Sequence, residues 1–546
     1  MTRWLAVLLV GLSAGPAVAD SADDLLTLIP PDTAICVVVR DLRGTTGRLN
    51  ASPFARWLDE SKLLDPFLPP AERQKLRDAE RFLTDKLGST SQQLLDDVFG
   101  DVVVLSYRPG PPDRPQDETG VLLLHARDPA RLATSLDRLN ALQTESGELK
   151  AVTERGRYLV RTRADGGTEY VHRDGPFLAF SAQESVLKEV LTARRPAVTP
   201  KGSPAGESIR RMGLADAAAV VWFHPQVLAA DLHAKRDAAS TPAAEKAALA
   251  QVAKVWAACD GLAVSTRVGE RLEVGVTAAI DPARLPASVR AVLYPTAGGS
   301  AWGAVPPNAL LAVGGRFDLP ALVAAADSFL PAGEAASTGL ADALGPLVGK
   351  SNVSAVLGGI GPEWVAWAEA PELGWVPEWT VAVKLSPVAS KPVLQALDLG
   401  ASLLRLAHNR DHPDPLDVAE STVNGRTVKY LVGGLPQRPS YGLADGFLVL
   451  ASSPDRVHRF KAAAGDGNPP LVRLDAARLR QFLADRRDEL AKGLAAQNGR
   501  PAADLLRDLD GLANVLRAVN RLELRHTASD GLIRLTLNVE LVKPLK

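Results

Sequence analysis

The chain has 546 residues, of which 62 are basic and 63 are acidic, so its formal net charge at pH 7 is −1. This balance provides no electrostatic basis for binding nucleic acid or an acidic lipid surface. Hydrophobic residues make up 46% and charged residues 23% of the chain, a composition that excludes a disordered protein and favours a buried core.

The N-terminus has the order of features of a secretory signal peptide. Arg3 supplies a positive charge, Trp4 to Leu12 form an apolar run, Gly15 and Pro16 interrupt it, and Ala17-Val18-Ala19 has the small-residue pattern that signal peptidase cleaves. We therefore predict a signal peptide at residues 1–19 and a periplasmic or extracellular location, with a retained N-terminal anchor as the alternative. No later stretch approaches ~18 consecutive apolar residues, so no transmembrane segment is expected in the mature chain.

The two cysteines are far apart in the sequence. Cys36 lies in the apolar run AICVVV, and Cys259 ends an alanine-rich helical pattern. An exported protein could join them in a disulfide. Their apolar surroundings instead favour two buried thiols that pack as small hydrophobic side chains.

An internal duplication is the strongest pattern in the sequence. The segment PPDTAICVVVRDL begins at Pro30, and PPNALLAVGGRFDL begins at Pro306. A late hairpin, DGLAVSTRVGERLEVGVT from Asp260, has a counterpart in NRLELRHTASDGLIRLTL from Asn520. Five further pairs of segments follow in the same order between these two. The repetition predicts two copies of one unit, at residues 20–300 and 301–546.

Each copy reads as strands interrupted by amphipathic helices. Several strands alternate polar and apolar residues, such as TEYVHRDG in the first copy and LIRLTLNVEL in the second. Alternation of this kind is typical of an antiparallel sheet with one face on the core and one face more exposed. Since the regular strand–helix–strand rhythm of a doubly wound fold is missing, we predict an α+β fold of mostly antiparallel sheets packed with helices.

Four tryptophans lie within sixteen residues: Trp364, Trp367, Trp375 and Trp379. The odd spacing of the first two places them on opposite faces of a regular strand. Aromatic side chains on an exposed face can stack on sugars or contact a protein partner. Packing beneath helices or between the two copies is the more common role of such residues, and these four are the first candidates for a ligand or partner surface.

The segment HNRDHPDP holds the most metal-like set of side chains. His408 and His412 are four residues apart, a spacing that allows two ligands on one helix. The segment leaves its helix for a proline-containing loop, and the glutamate of a zinc-protease motif is missing. A solvated helix end is therefore favoured over a metal site.

No catalytic constellation is found in the sequence. The only G-x-S-x-G match, Gly11 to Gly15, lies inside the predicted signal peptide, and the rest of the sequence has no such elbow, no Ser-x-x-Lys with recognisable partners and no phosphate-binding loop. The residues therefore predict no catalytic residue and no cofactor. The leading prediction is an exported, non-enzymatic binding or assembly protein whose ligand is a protein, a carbohydrate or a lipid. A hydrolase with carboxylates in a cleft between the copies and a carrier of hydrophobic ligands remain the alternatives.

One resemblance supports export and the fold class. The opening block from Pro31 to Asn50 with Ser52-Pro53, and the hairpin Asp260 to Thr277, resemble a family of uncharacterised secreted bacterial proteins that carry a domain of unknown function. Such proteins are frequent in planctomycete- and cyanobacteria-like genomes. The resemblance implies export and an α+β fold, and it brings no catalytic residues.

Overall fold

The computed structural model describes residues 19–51, 70–111, 113–195, 202–269, 271–294, 301–330, 335–463 and 468–542. The predicted signal peptide lies outside these residues except for its last position, and so does the predicted boundary near residue 300. The described residues form eighteen α-helices and twenty strands, and all strand pairs with an assigned register are antiparallel. The predicted α+β fold class is confirmed.

The chain forms two compact units. Unit 1 consists of residues 1–238, 256–281 and 531–546, and unit 2 consists of residues 239–255 and 282–530. The C-terminal strand therefore belongs to unit 1, although most of the sequence before it belongs to unit 2.

Unit 1 contains an eleven-stranded antiparallel sheet. Its strands are β1 (Ile35–Arg40), β2 (Val102–Arg108), β3 (Thr119–His125), β4 (Leu149–Arg155), β5 (Tyr158–Arg163), β6 (Thr168–Asp174), β7 (Phe177–Ser181), β8 (Ala219–Phe223), β9 (Cys259–Val268), β10 (Arg271–Ile280) and β20 (Leu532–Leu541). Their spatial order is β4-β5-β6-β7-β3-β2-β1-β8-β9-β10-β20.

Unit 2 contains nine further strands: β11 (Leu311–Arg316), β12 (Ile360–Glu369), β13 (Glu378–Leu385), β14 (Asp417–Val423), β15 (Arg426–Val432), β16 (Ser440–Ala444), β17 (Phe447–Ala451), β18 (Val472–Asp475) and β19 (Val519–Ser529). Their spatial order is β14-β15-β16-β17-β13-β12-β11-β18-β19.

The helices follow in chain order: α1 (Ala19–Thr27), α2 (Leu42–Ala51), α3 (Pro70–Phe82), α4 (Ser91–Gln93), α5 (Pro129–Glu145), α6 (Glu184–Ala193), α7 (Pro204–Arg211), α8 (Ala229–Asp237), α9 (Ala243–Ala257), α10 (Ala287–Leu293), α11 (Leu319–Phe329), α12 (Ala336–Val348), α13 (Val353–Gly359), α14 (Pro387–Asp411), α15 (Pro454–Arg459), α16 (Ala476–Asp485), α17 (Arg487–Asn498) and α18 (Ala502–Leu516). None of these helices is both long and apolar enough to cross a bilayer.

The central strands of unit 1 are buried on both faces. In β2, Val102 and Val104 belong to one core cluster, and Val103 between them belongs to another. Helices α1 and α7 supply apolar side chains to the first cluster, and α5 supplies Leu132 to the second. The sequence predicts that one face of the sheet is more exposed than the other. That prediction holds only for the outer strands. A continuous run of branched apolar residues is typical of a strand covered on both sides.

Local capping sets where several helices begin. Asp41 precedes α2 and accepts a 3.0 Å hydrogen bond from the Gly44 amide, and Asp318 accepts one of 2.9 Å from Ala321 at the start of α11. In each case a carboxylate satisfies an amide that has no partner within the helix. Ser386 caps α14 in the same way, with Pro387 in the first turn where the missing amide hydrogen costs nothing.

Candidate functional site

Among the cavities lined by the described residues of unit 2, the two with the largest volumes lie on opposite faces of its sheet. Trp379 lines one cavity and Thr380, the next residue of β13, lines the other. Successive side chains of a strand point to opposite faces, so the two cavities are separated by the sheet itself. We call them the apolar groove and the tryptophan cleft.

The apolar groove lies between the sheet and helices α12, α13 and α14, and its volume is about 500 Å³. Its lining is formed mostly by aliphatic side chains: Leu344, Leu347, Val348, Val356, Ile360, Trp379, Val393, Ala396, Leu397, Gly400, Ala401, Leu431, Pro439, Ser440, Tyr441 and Leu450. Pockets of this size and character are typical of small-molecule binding sites.

Every polar side chain of the groove lining is hydrogen-bonded within the protein. The Tyr441 hydroxyl donates to Asp398 Oδ1 at 2.7 Å, and Trp379 Nε1 donates to Gln437 Oε1 at 3.1 Å. Ser440 Oγ donates to the Arg438 carbonyl at 2.6 Å. The lining therefore offers contact surface to a ligand, and its polar side chains are already engaged elsewhere.

The ionisation of the Tyr441–Asp398 pair supports this arrangement. Burial raises the pKa of Asp398, but hydrogen bonds from Lys429 and Tyr441 outweigh it, so the pKa lies below its ordinary value. Burial and the neighbouring carboxylate raise the pKa of Tyr441. The phenol therefore stays protonated at neutral pH and continues to donate to the carboxylate.

Small residues on α14 keep the groove open. Ala396, Gly400 and Ala401 all line the groove, and Gly400 lies one turn after Ala396 on the helix. A Cβ atom added to Gly400 would meet no atom within 4 Å. Larger side chains at these positions would fill the space between helix and sheet, so the volume is a direct consequence of residue size.

The tryptophan cleft is more polar and has a volume of about 710 Å³. Trp367, Glu369, Glu378, Thr380 and Arg456 form one wall. Trp367 is itself buried, and its ring stacks on Phe460 with centroids 6.4 Å apart and planes 19° apart. One face of the Trp367 ring is therefore used in packing against Phe460.

Arg456 joins two carboxylates in the wall of the cleft. Its guanidinium is paired with Glu369 and also with Glu378, to which Nε donates at 2.9 Å. Glu369 accepts a second bond of 3.0 Å from Trp367 Nε1. Burial lowers the pKa of Arg456, but its bonds to Glu378 and Glu369 outweigh burial and raise it overall. Two carboxylates tied to one guanidinium form a structural network, and neither is placed as an independent acid or base.

Thr380 provides a test of how the cleft is built. Its side chain is buried, and its hydroxyl has no hydrogen-bond partner among the described residues. An unpaired buried hydroxyl costs about 1–3 kcal/mol, so Thr380→Val is expected to raise the free energy of unfolding by about 1 kcal/mol in urea titrations. Thr380→Ser is the control, since it keeps the hydroxyl and loses a methyl group. A loss of stability in the valine variant would show that the hydroxyl has a partner in solution.

The structure does not bring the four clustered tryptophans together in one surface. Trp364 is half-buried and contacts Phe317 edge to face at 6.4 Å, on the face of the sheet opposite to Trp367. Trp375 lies against Gly493 of α17, where an added Cβ would overlap the indole ring. Trp379 lines the apolar groove. The four residues therefore occupy separate environments, and each packs against neighbouring side chains or backbone.

The two histidines lie side by side at the end of α14. The rings of His408 and His412 stack 4.2 Å apart and 7° from parallel. His408 Nε2 contacts the Asp414 carbonyl at 3.0 Å, and His412 Nδ1 contacts the His408 carbonyl at 3.2 Å. Within the part of the chain that the structure describes, no group of three or more His, Cys, Asp or Glu side chains could hold a metal ion.

Cys36 and Cys259 are buried free thiols. Burial raises the pKa of Cys36 to about 12 and also raises the pKa of Cys259. A thiol reacts as its thiolate, so neither cysteine is expected to react with a disulfide reagent at pH 8 in the native protein. In denaturant without reductant, both should react. Fewer than two reactive thiols after unfolding would reveal a disulfide.

Sequence reasoning missed the apolar groove. It arises where small residues of α14 face Leu431 of β15 and Leu450 of β17, which are distant in sequence. One feature of the sequence does indicate an apolar region here. Between Leu319 and Ile360 the sequence holds only four charged residues, Asp327, Glu334, Asp342 and Lys350.

No family model, curated protein sequence or solved structure matches this chain.

Proposed function

We propose that this protein binds an apolar, chain-like ligand in the groove of unit 2 and acts as a non-enzymatic carrier. The observation that carries the proposal is the groove itself, about 500 Å³ in volume and lined by aliphatic side chains, with its polar side chains hydrogen-bonded within the protein. Such a surface favours an acyl chain over a sugar or a peptide, because buried polar groups of a ligand would lose their hydrogen bonds there.

We also propose that the carrier consists of two copies of one unit and that it is exported. The strand order β14-β15-β16-β17-β13-β12-β11-β18-β19 in unit 2 has the same form as β4-β5-β6-β7-β3-β2-β1-β8-β9 in unit 1. This agreement supports two copies of one unit, of which the second has become the binding unit. The N-terminal pattern of charge, apolar run and small residues supports export, which would place the carrier in the periplasm or outside the cell.

A hydrolase is less well supported by the described residues. The carboxylates of the tryptophan cleft, Glu369 and Glu378, are both paired with Arg456. Acid–base hydrolysis of a glycoside needs two carboxyl groups with separate roles and different proton affinities. Their shared guanidinium favours a structural role instead.

The test is a fluorescence titration with cis-parinaric acid, a conjugated fatty acid that fluoresces in apolar surroundings. Ala396→Trp should fill the groove and weaken binding at least about tenfold, since each excluded methylene group costs about 0.8 kcal/mol. Ala407→Trp is the matched control, because Ala407 lies on the same helix, is exposed and does not line the groove.

A second variant tests the polar side chains. Tyr441→Phe removes a hydroxyl that donates to Asp398 and should leave the affinity for the fatty acid unchanged. Equal loss of binding in the Ala396→Trp and Ala407→Trp variants, or no binding by the unaltered chain, would contradict the proposal.

A further inference from the structure

Helix α14 carries a stripe of exposed apolar side chains. Val388, Leu399, Leu403 and Leu406 lie on one side of the helix. Their exposed fractions range from 42% to 72%. Single exposed leucines are common on protein surfaces, but a contiguous apolar patch marks an interaction site.

The stripe continues directly into the groove. With 3.6 residues per turn, Leu403 lies beside Ala396 and Gly400, which line the groove, and Leu399 and Leu406 follow next around the helix. Between Ala396 and Leu406, the charged residues of α14 are Asp398 and Arg405, and both lie on the other side of the helix. Asp398 is bonded to Lys429 at 2.8 Å, and Arg405 is paired with Asp417 at 3.0 Å. An apolar path therefore leads from the groove to the surface as far as Leu406, and Arg410 follows one turn later.

Helix α12 adds an exposed apolar side chain to the groove. Leu347 of α12 lines the groove and is also exposed. Leu322 of α11 and Leu330 immediately after it are exposed as well, in the stretch that holds only four charged residues between Leu319 and Ile360. Leu347 of α12 and the stripe of α14 thus present exposed leucines at and beside the groove.

We propose that this leucine-rich surface docks unit 2 onto a lipid bilayer, from which the groove takes up an acyl chain. The inference rests on the proposed function. Lipids with acyl chains reside in bilayers, so a groove for such a chain needs a route that avoids water. The formal net charge of −1 gives no electrostatic attraction to acidic lipids, so insertion of leucines is the driving force. Docking should therefore occur on neutral lipids and should change little with salt.

The experiment is flotation of the full chain with dioleoylphosphatidylcholine vesicles at low and high salt. Replacing three stripe residues together (Leu399→Ser, Leu403→Ser and Leu406→Ser) should reduce the vesicle-bound fraction at least about tenfold. The control replaces three leucines that are exposed elsewhere: Leu373→Ser, Leu512→Ser and Leu535→Ser. The control should float as the unaltered chain does.

Parinaric acid binding separates this inference from the proposed function. None of the three stripe residues lines the groove, so the stripe variant should still bind the free fatty acid. Fatty-acid binding without flotation of the unaltered chain would overturn the docking and leave the groove intact. Flotation without fatty-acid binding would support the docking and overturn the carrier function. A dimer in sedimentation velocity that the stripe substitutions dissociate, with no vesicle binding, would assign the stripe to self-association and overturn the inference.

Discussion

Replacing Arg456 with methionine is expected to lower the free energy of unfolding by about 3–5 kcal/mol. The substitution removes the only guanidinium that we find paired with both Glu369 and Glu378 among the described residues, and the Glu369 carboxylate is largely buried. A buried carboxylate without a counter-charge has lost its hydration and gains nothing in return. Urea unfolding followed by circular dichroism measures the loss.

The paired variant shows where the loss originates. Adding Glu369→Gln to Arg456→Met replaces the unpaired carboxylate with a neutral amide. The double variant should recover a large part of the lost free energy of unfolding. Arg456→Lys keeps the charge but cannot bond both carboxylates in one plane. Its free energy of unfolding should therefore lie between those of the unaltered protein and the Arg456→Met variant. A loss below about 1 kcal/mol in the methionine variant would mean that water solvates both carboxylates and that the network contributes little.

Trp367→Ala is expected to cost about 3–5 kcal/mol of unfolding free energy, the range for removing a large buried aromatic side chain. Trp367 is 8% exposed, stacks on Phe460 and donates to Glu369. Its removal leaves a cavity in the core of unit 2 and takes a donor from a buried carboxylate. The same urea titration measures the change.

Trp364→Ala is the comparison for this prediction. Trp364 is on the same strand but only half-buried, so its removal should cost less than that of Trp367. Unchanged stability in the Trp367→Ala variant, together with loss of binding to a sugar or protein partner, would restore the tryptophans as a binding surface.

The strand positions could be predicted because each depends on residues close in sequence. The alternating run TEYVHRDG predicts a strand, and its residues Thr168–Asp174 form β6; the run LIRLTLNVEL predicts another and forms β20. Helix caps are equally local, since Asp41 and Asp318 each accept a hydrogen bond from an amide three residues ahead. Periodicity and capping are local properties of the chain.

The burial of the sheet on both faces could not be read in the same way. Periodicity shows which residues share a face, and it does not show whether a helix covers that face. In unit 1 the side chains Ala22 and Leu26 of α1 cover strands that begin far along the chain. Pairing of β3 with β7, and of β10 with β20, likewise joins segments that no local pattern connects.

By itself the sequence determined the α+β class, the alternation within strands and the start of several helices, because these follow from residues within a few positions of one another. Only the tertiary structure decided where a ligand could bind. The groove exists because Ala396 and Gly400 are small and lie opposite Leu431 and Leu450. An unfilled space is a property of side chains that meet across the fold, and its volume depends on all of them at once.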